Sequence, residues 1–415
     1  MTALRGAERS PPRDLGSFMR LRTLLARHPS VCAGREAVLA QEPGLSARFF
    51  ARVLPSILHH AGALGYAHLP ALLLTGRSAG AAIPRGTAAS VIAHMVLGSL
   101  PAPHHGEESF PHTSFDRLLA SRAPQEQAKL RCVLHYFDRI AEGPPRGTLR
   151  VVRRVEPART AEDWAREEAP LGPLTEVPSG GIEDADGCLQ VDFANRYLGG
   201  GVLSGGCVQE EIRFAVSPEL LAALPLCPAL GPDEALVLHG AERFAAFKGY
   251  AFTLAFAGDH RDPSARDPDG TPKVSLVAMD ALDFRRHIDR SAQFQGSLFL
   301  RELHKARVGF SRAHGEGAPH TVATGHWGCG VFAGHPQLKA LLQWLAASSA
   351  GAGVRYHTYG DARCGDLEGF CARAAARFGT VGALFTRYQD VLARGLPPGD
   401  GWREPWLFPA LLEGA

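Results

Sequence analysis

Two adjacent carboxylates, Glu210 and Glu211, close a glycine-rich stretch of the 415-residue chain that reads DFANRYLGGGVLSGGCVQEEIR over residues 192–213. A carboxyl pair can give a proton, take one, or hold sugar hydroxyls. Gly199, Gly200, Gly201, Gly205 and Gly206 precede it. Backbone without side chains approaches a ligand closely and can turn its N–H groups to an anion. These residue types together fit a phosphate-bearing substrate on which the carboxylates act or whose hydroxyls they bind. Two nucleotide motifs are excluded. Cys207 and Val208 stand where a P-loop begun at Gly201 needs Lys and then Ser or Thr, and Ser204 occupies the third glycine position of a dinucleotide fingerprint begun at Gly199. A structural turn followed by a solvated acidic helix start is the other reading of the same residues, because acidic side chains suit a helix N-terminus.

Such groups need rigid elements on both sides. Leu189, Val191 and Phe193 alternate with Gln190 and Asp192, as in a strand running into the glycine turn. A second glycine-rich stretch, TGHWGCGVF over residues 324–332, lies between a strand expected at 321–324 and a helix expected from His335. Glycines at a helix N-terminus can hold a diphosphate on exposed N–H groups. A plain structural turn is again the alternative.

The rest of the chain divides by periodicity. Residues 1–30 read as a poorly ordered leader broken by Pro11 and Pro12. Apolar stripes at helical spacing follow, through Phe49, Val53 and Ile57, through Val91, Met95 and Val96, and through Leu130, Val133, Leu134 and Phe137; Pro55 must kink or end the first of these helices. The prolines and glycines of EGPPRG, residues 142–147, mark a linker, so residues 31–147 are expected to form a helical accessory domain and residues 148–415 a second domain. In that second part strands alternate with helices, beginning with a capped helix at Thr160. This implies a three-layer α/β domain. The polar run 259–272 reads as an exposed loop.

Composition sets the class. A hydrophobic fraction of 45%, a charged fraction of 21% and a formal net charge of +2 describe an ordinary globular chain, with no global electrostatic reason for nucleic-acid or membrane binding. The eight cysteines form no CxxC pair and read as reduced intracellular thiols. The eighteen histidines include no HExxH, and Pro263 and Pro268 interrupt the only loosely calcium-like acidic loop, so no metal is expected. No apolar run reaches the ~18 residues of a membrane span. The arginines of the first thirty residues leave mitochondrial targeting as a minority reading beside the nucleus or cytoplasm.

The motifs resemble those of a known family. Gly199, Gly200 and Gly201 followed by Gln209, Glu210 and Glu211 are similar to the signature of poly(ADP-ribose) glycohydrolases. The likeness extends co-linearly over about residues 45–410, through YFDR at 136–139, FKGY at 247–250, MDALDFRR at 279–286 and YHTYGD at 356–361. The resemblance implies a macrodomain-like three-layer α/β fold with a mixed central sheet, preceded by an all-α accessory domain. It implies hydrolysis of ribose–ribose O-glycosidic bonds in poly(ADP-ribose), mainly from the chain end, with release of ADP-ribose. Glu211 would act as general acid and then base, Glu210 would orient ribose hydroxyls, and Asp192 would help shape the catalytic site. Substrate contacts would come from Ile182, Glu183, Asn195, Gly199, Gly200, Gly201, Gln209, the adenine-side Tyr250, the loop His326, Trp327, Gly328, Cys329, Gly330, Val331 and Phe332, and Tyr359. Two departures stand out: His326 occupies a position where the animal enzymes usually have Asn, and Val331 one where they have Ala. No cofactor is implied. The partners implied are polymer chains on modified proteins and the ADP-ribose product, with no membrane and no sequence-specific nucleic acid, and the chain is expected to act as a monomer. A non-catalytic ADP-ribose reader on the same fold is the competing function.

Overall fold

The computed structural model describes residues 2–25, 43–63, 69–143, 145–286, 289–311 and 321–413. In chain order the elements begin with α1 (Thr2–Arg9), α2 (Leu15–Leu25), α3 (Pro43–Arg48), α4 (Leu54–Ala63), β1 (Ala79–Pro84), α5 (Arg85–Leu97), α6 (Asp116–Ala120) and α7 (Pro124–Arg139). Next are β2 (Thr148–Val155), α8 (Ala161–Ala165), β3 (Leu174–Val177), β4 (Leu189–Asp192), α9 (Gln209–Val216), β5 (Glu234–His239), β6 (Ala245–Lys248), β7 (Ala255–Asp259) and β8 (Ser275–Ala278). The chain ends with α10 (Gly296–Phe310), β9 (Thr321–Gly325), α11 (Pro336–Ser349), β10 (Gly353–His357), α12 (Leu367–Phe378), α13 (Val381–Ala393) and α14 (Leu407–Leu412).

These elements form two compact units. The first comprises residues 1–152, 197–229 and 238–273, and the second residues 153–196, 230–237 and 274–415. The helical segment therefore shares its unit with the glycine turn and the carboxylate pair, a grouping that the linker at 142–147 does not suggest. The cause is an apolar seam. Ala128 and Cys132 of α7 pack with Cys207, with Ile212, Ala215 and Val216 of α9, and with Ala245 and Leu254. Removing such side chains from water stabilises by about 25 cal/mol per Å² buried, which outweighs any preference for packing close in sequence.

Within the first unit, the expected loose leader is instead two helices as far as residue 25. Leu4, Phe18 and Leu21 are buried, and Arg22, also buried, ion-pairs with Asp116 at 2.5 Å. Pro11 and Pro12 fall between the helices, where their missing N–H costs nothing. Residues 26–30 lie outside the described residues. Pro55 neither ends nor breaks the helix. A π-helical turn, Phe49–Val53, sends the Leu54 N–H back to Phe49 O, and α4 continues through the proline. Arg85, at the start of α5, is fully buried and gives both oxygens of Glu219 a contact at 2.9 Å and Glu242 one at 2.6 Å. Charges this deep persist only when paired.

In the second unit the strand order β8–β4–β9–β10–β3 is parallel at every step. Parallel strands covered on both faces need continuous apolar runs, and Val191, Leu276, Val277, Val322, Ala323 and Val354 supply them. The β9–α11–β10 segment is a βαβ unit. At the head of α8, Thr160 Oγ1 accepts the Asp163 N–H and Asp163 accepts the Thr160 N–H, the reciprocal cap expected from the sequence.

Candidate active site

The glycine turn and the carboxylate pair fold onto each other. Gly199 and Gly200 adopt φ of +81° and +49°, in the left-handed region where side chains are strained. Gly200 N–H donates to Tyr197 O, Val202 N–H to Gly199 O, and both Ser204 and Gly206 N–H groups to Gly201 O, so the chain coils tightly from 197 to 206. Gln209, Glu210 and Glu211 then form the first turn of α9, where the helix dipole favours negative charge. The Gly199 N–H donates to Glu210 Oε1 at 2.7 Å, the Gly201 N–H to Glu211 Oε1 at 2.9 Å, and the Val208 N–H to Glu211 Oε2 at 2.9 Å.

This corrects the expectation that the three glycines offer their amides to a ligand. The anions they hold are the protein's own Glu210 and Glu211. Neighbouring side chains on a helix ordinarily diverge, yet here the glycine turn recaptures both. A Cβ on Gly200 would stand 2.5 Å from Glu210 Oε2 and 2.6 Å from Glu211 Oε1, so the two carboxylates flank one point. Both residues are less than a tenth exposed. A carboxylate has about four lone-pair sites, and these amide bonds leave some of them for a sugar hydroxyl, a glycosidic oxygen or a water.

Tyr250 belongs to the same unit. It follows β6 and precedes a 3-10 turn, Ala251–Thr253, fixed by the Thr253 hydroxyl donating to Tyr250 O at 2.7 Å. Burial pushes its hydroxyl pKa up; a hydrogen bond with the Gln209 backbone works the other way, and the Glu211 charge adds to the rise. The side chain nonetheless remains 55% exposed, which leaves ring surface for a base to cover while the hydroxyl faces the head of α9.

The second unit gathers the remaining candidates. Asp192 ends β4 and is buried; its carbonyl accepts the Ala194 N–H at 2.8 Å, and Asn195, half-buried, follows. The 325–334 loop is tied by Trp327 N–H to Gly325 O, Cys329 N–H to His326 O and Gly334 N–H to Gly328 O. Trp327 does not present its ring to a ligand. The ring is buried, its Nε1–H donates to Met279 O at 2.9 Å, and the Lys339 ammonium lies 4.2 Å from its centroid. Ile182 is likewise a core residue, packed with Ala185, Cys188 and Ala323, and the Cys329 thiol is buried, its pKa pushed up to about 12 by desolvation. These three can meet a substrate only through backbone atoms. Gly328 turns the loop at φ +74° in a space where a Cβ would meet Ala281 at 2.7 Å. Gly330 and Val331 are exposed, and among the described residues their N–H groups donate to no other group, as an anion cradle requires. Phe332 is partly buried beside Arg285.

His326 ties this loop to the end of β10. Its Nε2 lies 3.2 Å from Thr358 O and its Nδ1 3.4 Å from the Tyr356 hydroxyl, with Asp361 at 3.8 Å. Burial lowers its pKa and Asp361 opposes the drop. Tyr359 follows at φ +52° and is 53% exposed. The half-buried Glu183 sits in a short 3-10 turn beside the same strand end, where Gly180 O lies 3.1 Å from His357 Nδ1.

One residue close to the carboxylates escaped the sequence reading. Lys129 of α7 donates from Nζ to Gly201 O at 3.1 Å, to Ser204 O at 2.6 Å and to Gly206 O. A signal was present: Lys129 lies three and four residues before Cys132 and Val133, inside the apolar stripe of its helix.

A helical segment, a glycine turn that holds paired glutamates and a parallel α/β sheet together define a helical-plus-macro-fold architecture. Residues 42–153 match the helical domain of the poly(ADP-ribose) glycohydrolase family and residues 161–366 its macro domain fold. The chain is 32% identical over 385 residues to poly(ADP-ribose) glycohydrolase 1 of Arabidopsis thaliana, covering 75% of this chain and 69% of that protein. It is 32% identical over 322 residues to poly(ADP-ribose) glycohydrolase 2 of Caenorhabditis elegans, covering 72% of this chain and 63% of that protein. With glycohydrolase 1 of the same worm the identity is 33% over 300 residues, covering 68% of this chain and 37% of that protein. The chain thus spans less than two thirds of both worm proteins. It belongs to the poly(ADP-ribose) glycohydrolase family.

Proposed function

We propose that this chain hydrolyses the ribose–ribose O-glycosidic bonds of poly(ADP-ribose) carried on modified proteins, acting mainly from the chain end and releasing ADP-ribose. The observation that carries the reading is the capture of Glu210 and Glu211 side by side on the Gly199 and Gly201 amides. Cleavage passes through an oxocarbenium-like transition state, in which the departing oxygen needs a proton and the incoming water a base. Glu211 performs both in turn, since a carboxyl group that has given its proton is the base for the next step. Glu210 holds ribose hydroxyls, Asp192 and Asn195 shape the catalytic site, and the Gly330 and Val331 amides support the diphosphate. Tyr250 covers the adenine. Tyr359 and Glu183 cap the terminal unit, which favours attack from the chain end. None of the seven cysteines among the described residues forms a disulfide, which suits the nucleus or cytoplasm. Among these residues no helix is long and apolar enough to cross a membrane.

The test is incubation of the purified chain with labelled polymer, with and without excess EDTA. Release of ADP-ribose in both arms is expected, because the carboxylates and amides provide proton transfer and charge stabilisation without a cation. Binding of polymer with no release would leave a reader of ADP-ribose instead. Activity lost in EDTA and restored by magnesium would place a cation in the reaction.

A further inference from the structure

The glycine turn is gripped from the helical segment. Gly201, Ser204 and Gly206 point their carbonyl oxygens inward at Lys129 Nζ, while the Gly201 N–H points outward at Glu211. One peptide segment therefore links the ammonium to the carboxylate. An ammonium has three N–H donors and no acceptor, so three carbonyls use it fully. The neutral amine has two donors and a lone pair, which would face one of those oxygens. A second contact from the same segment backs the first: Gly205 lies so close to the Arg117–Glu126 ion pair that a Cβ there would stand 2.8 Å from the Arg117 guanidinium.

We propose that Lys129 is the positioning residue by which the helical segment fixes the glycine turn and, through the Gly199 and Gly201 amides, the orientation of Glu210 and Glu211. This rests on the glycohydrolase reading for its catalytic consequence and on geometry alone for its structural one. A fully buried cation is costly unless its partners are complete, and placing it here makes sense if the loop must hold one shape. Misplacing a reacting group by about 1 Å can cost on the order of 10²-fold in rate. The groups facing Lys129 are Glu211, Glu126, Cys207 and Arg117. Burial lowers its pKa to about 8, with Glu211, Glu126 and Cys207 opposing the drop and Arg117 adding to it. The grip therefore weakens as pH rises through that value.

The test compares wild type with Lys129→Met, which keeps an apolar stem of similar length, and with Lys129→Arg, whose guanidinium keeps its proton in alkali. On poly(ADP-ribose), Lys129→Met is expected to lose about 10²-fold in kcat with a smaller change in KM. Amide hydrogen exchange over residues 197–208 is expected to accelerate in that variant at neutral pH. Wild-type kcat is expected to fall above pH of about 8, and in Lys129→Arg that limb moves to higher pH. Wild-type kcat together with wild-type loop protection in Lys129→Met would overturn the proposal. If Lys129→Met does not fold, an alkaline limb identical in wild type and Lys129→Arg overturns it. A wild type that releases no ADP-ribose refutes the function and leaves the exchange comparison to decide the role of Lys129.

Discussion

The Gly199 N–H donates to Glu210 Oε1 at 2.7 Å, so a turn that looks built to receive a ligand's anion receives a carboxylate of its own chain. Its neighbour Gly201 does the same for Glu211 at 2.9 Å. On the proposed mechanism these two glycine amides orient the acid and base, and both are already engaged by carboxylates. Burial and preorganised dipoles make such contacts stronger than they would be in water.

Glu211→Gln keeps shape and most hydrogen bonding but removes the proposed proton donor and base. Turnover is expected to fall by about 10²- to 10⁴-fold, with ADP-ribose still bound in a calorimetric titration. Near-normal turnover would show that another group moves the proton. Glu210→Gln is expected to be nearly as damaging through loss of sugar orientation, and its substrate KM should rise.

Gly200→Ala tests the turn directly. At φ +49° the new side chain brings about 1–2 kcal/mol of backbone strain, and its Cβ would lie within 2.6 Å of oxygens of both glutamates. Those oxygens must move, so kcat is expected to drop by about 10²-fold while the thermal midpoint shifts only modestly. A variant with unchanged kcat would show that the observed carboxylate positions are not the working ones.

Tyr250→Ala is expected to weaken ADP-ribose binding by about 1–3 kcal/mol, the usual worth of stacking a base on an aromatic ring. Tyr250→Phe keeps the face and should bind nearly as wild type. Equal losses in both variants would assign the effect to the hydroxyl beside Gln209 instead.

The sequence disclosed these groups unevenly. The alternation that ends at Asp192, the strand–glycine–helix order around His335 and the reciprocal cap at Thr160 all lie in local pattern, and each is present in the fold. For Lys129 the local pattern gives only its place in the apolar stripe of α7, not its partners. Only the path of residues 201–206 turns three carbonyls toward it. The direction of the Gly199 and Gly201 amides is equally hidden, because glycine admits both signs of φ and their partners, Glu210 and Glu211, lie eleven and ten residues further on. Helices α1 and α2 are hidden for a related reason: Phe18 packs on Phe49 and the buried Arg22 pairs with Asp116, both far along the chain.

The last prediction concerns the helix that follows the 325–334 loop. His335 caps α11: its Nδ1 accepts the Leu338 N–H at 3.3 Å and its Nε2–H donates to Glu404 O at 3.1 Å. Only the neutral ring can do both, since a proton on Nδ1 would face the Leu338 N–H. Burial accordingly lowers the His335 pKa from 6.5 to about 4, with the Glu404 carbonyl opposing the drop and Arg363 adding to it. The folded-state pKa lies below the unfolded one, so the contribution is complete above pH 6.5 and is lost as pH falls from 6.5 toward 4. Its size is on the order of 3 kcal/mol. Asn caps helices well and does not titrate. Hence His335→Asn should flatten the decline in denaturant stability between pH 6.5 and 4, even if its stability at neutral pH is lower for want of the ring contact with Phe294. A slope unchanged from wild type would move the acid sensitivity to other buried histidines, of which His60, also lowered to about 4, is the first to replace.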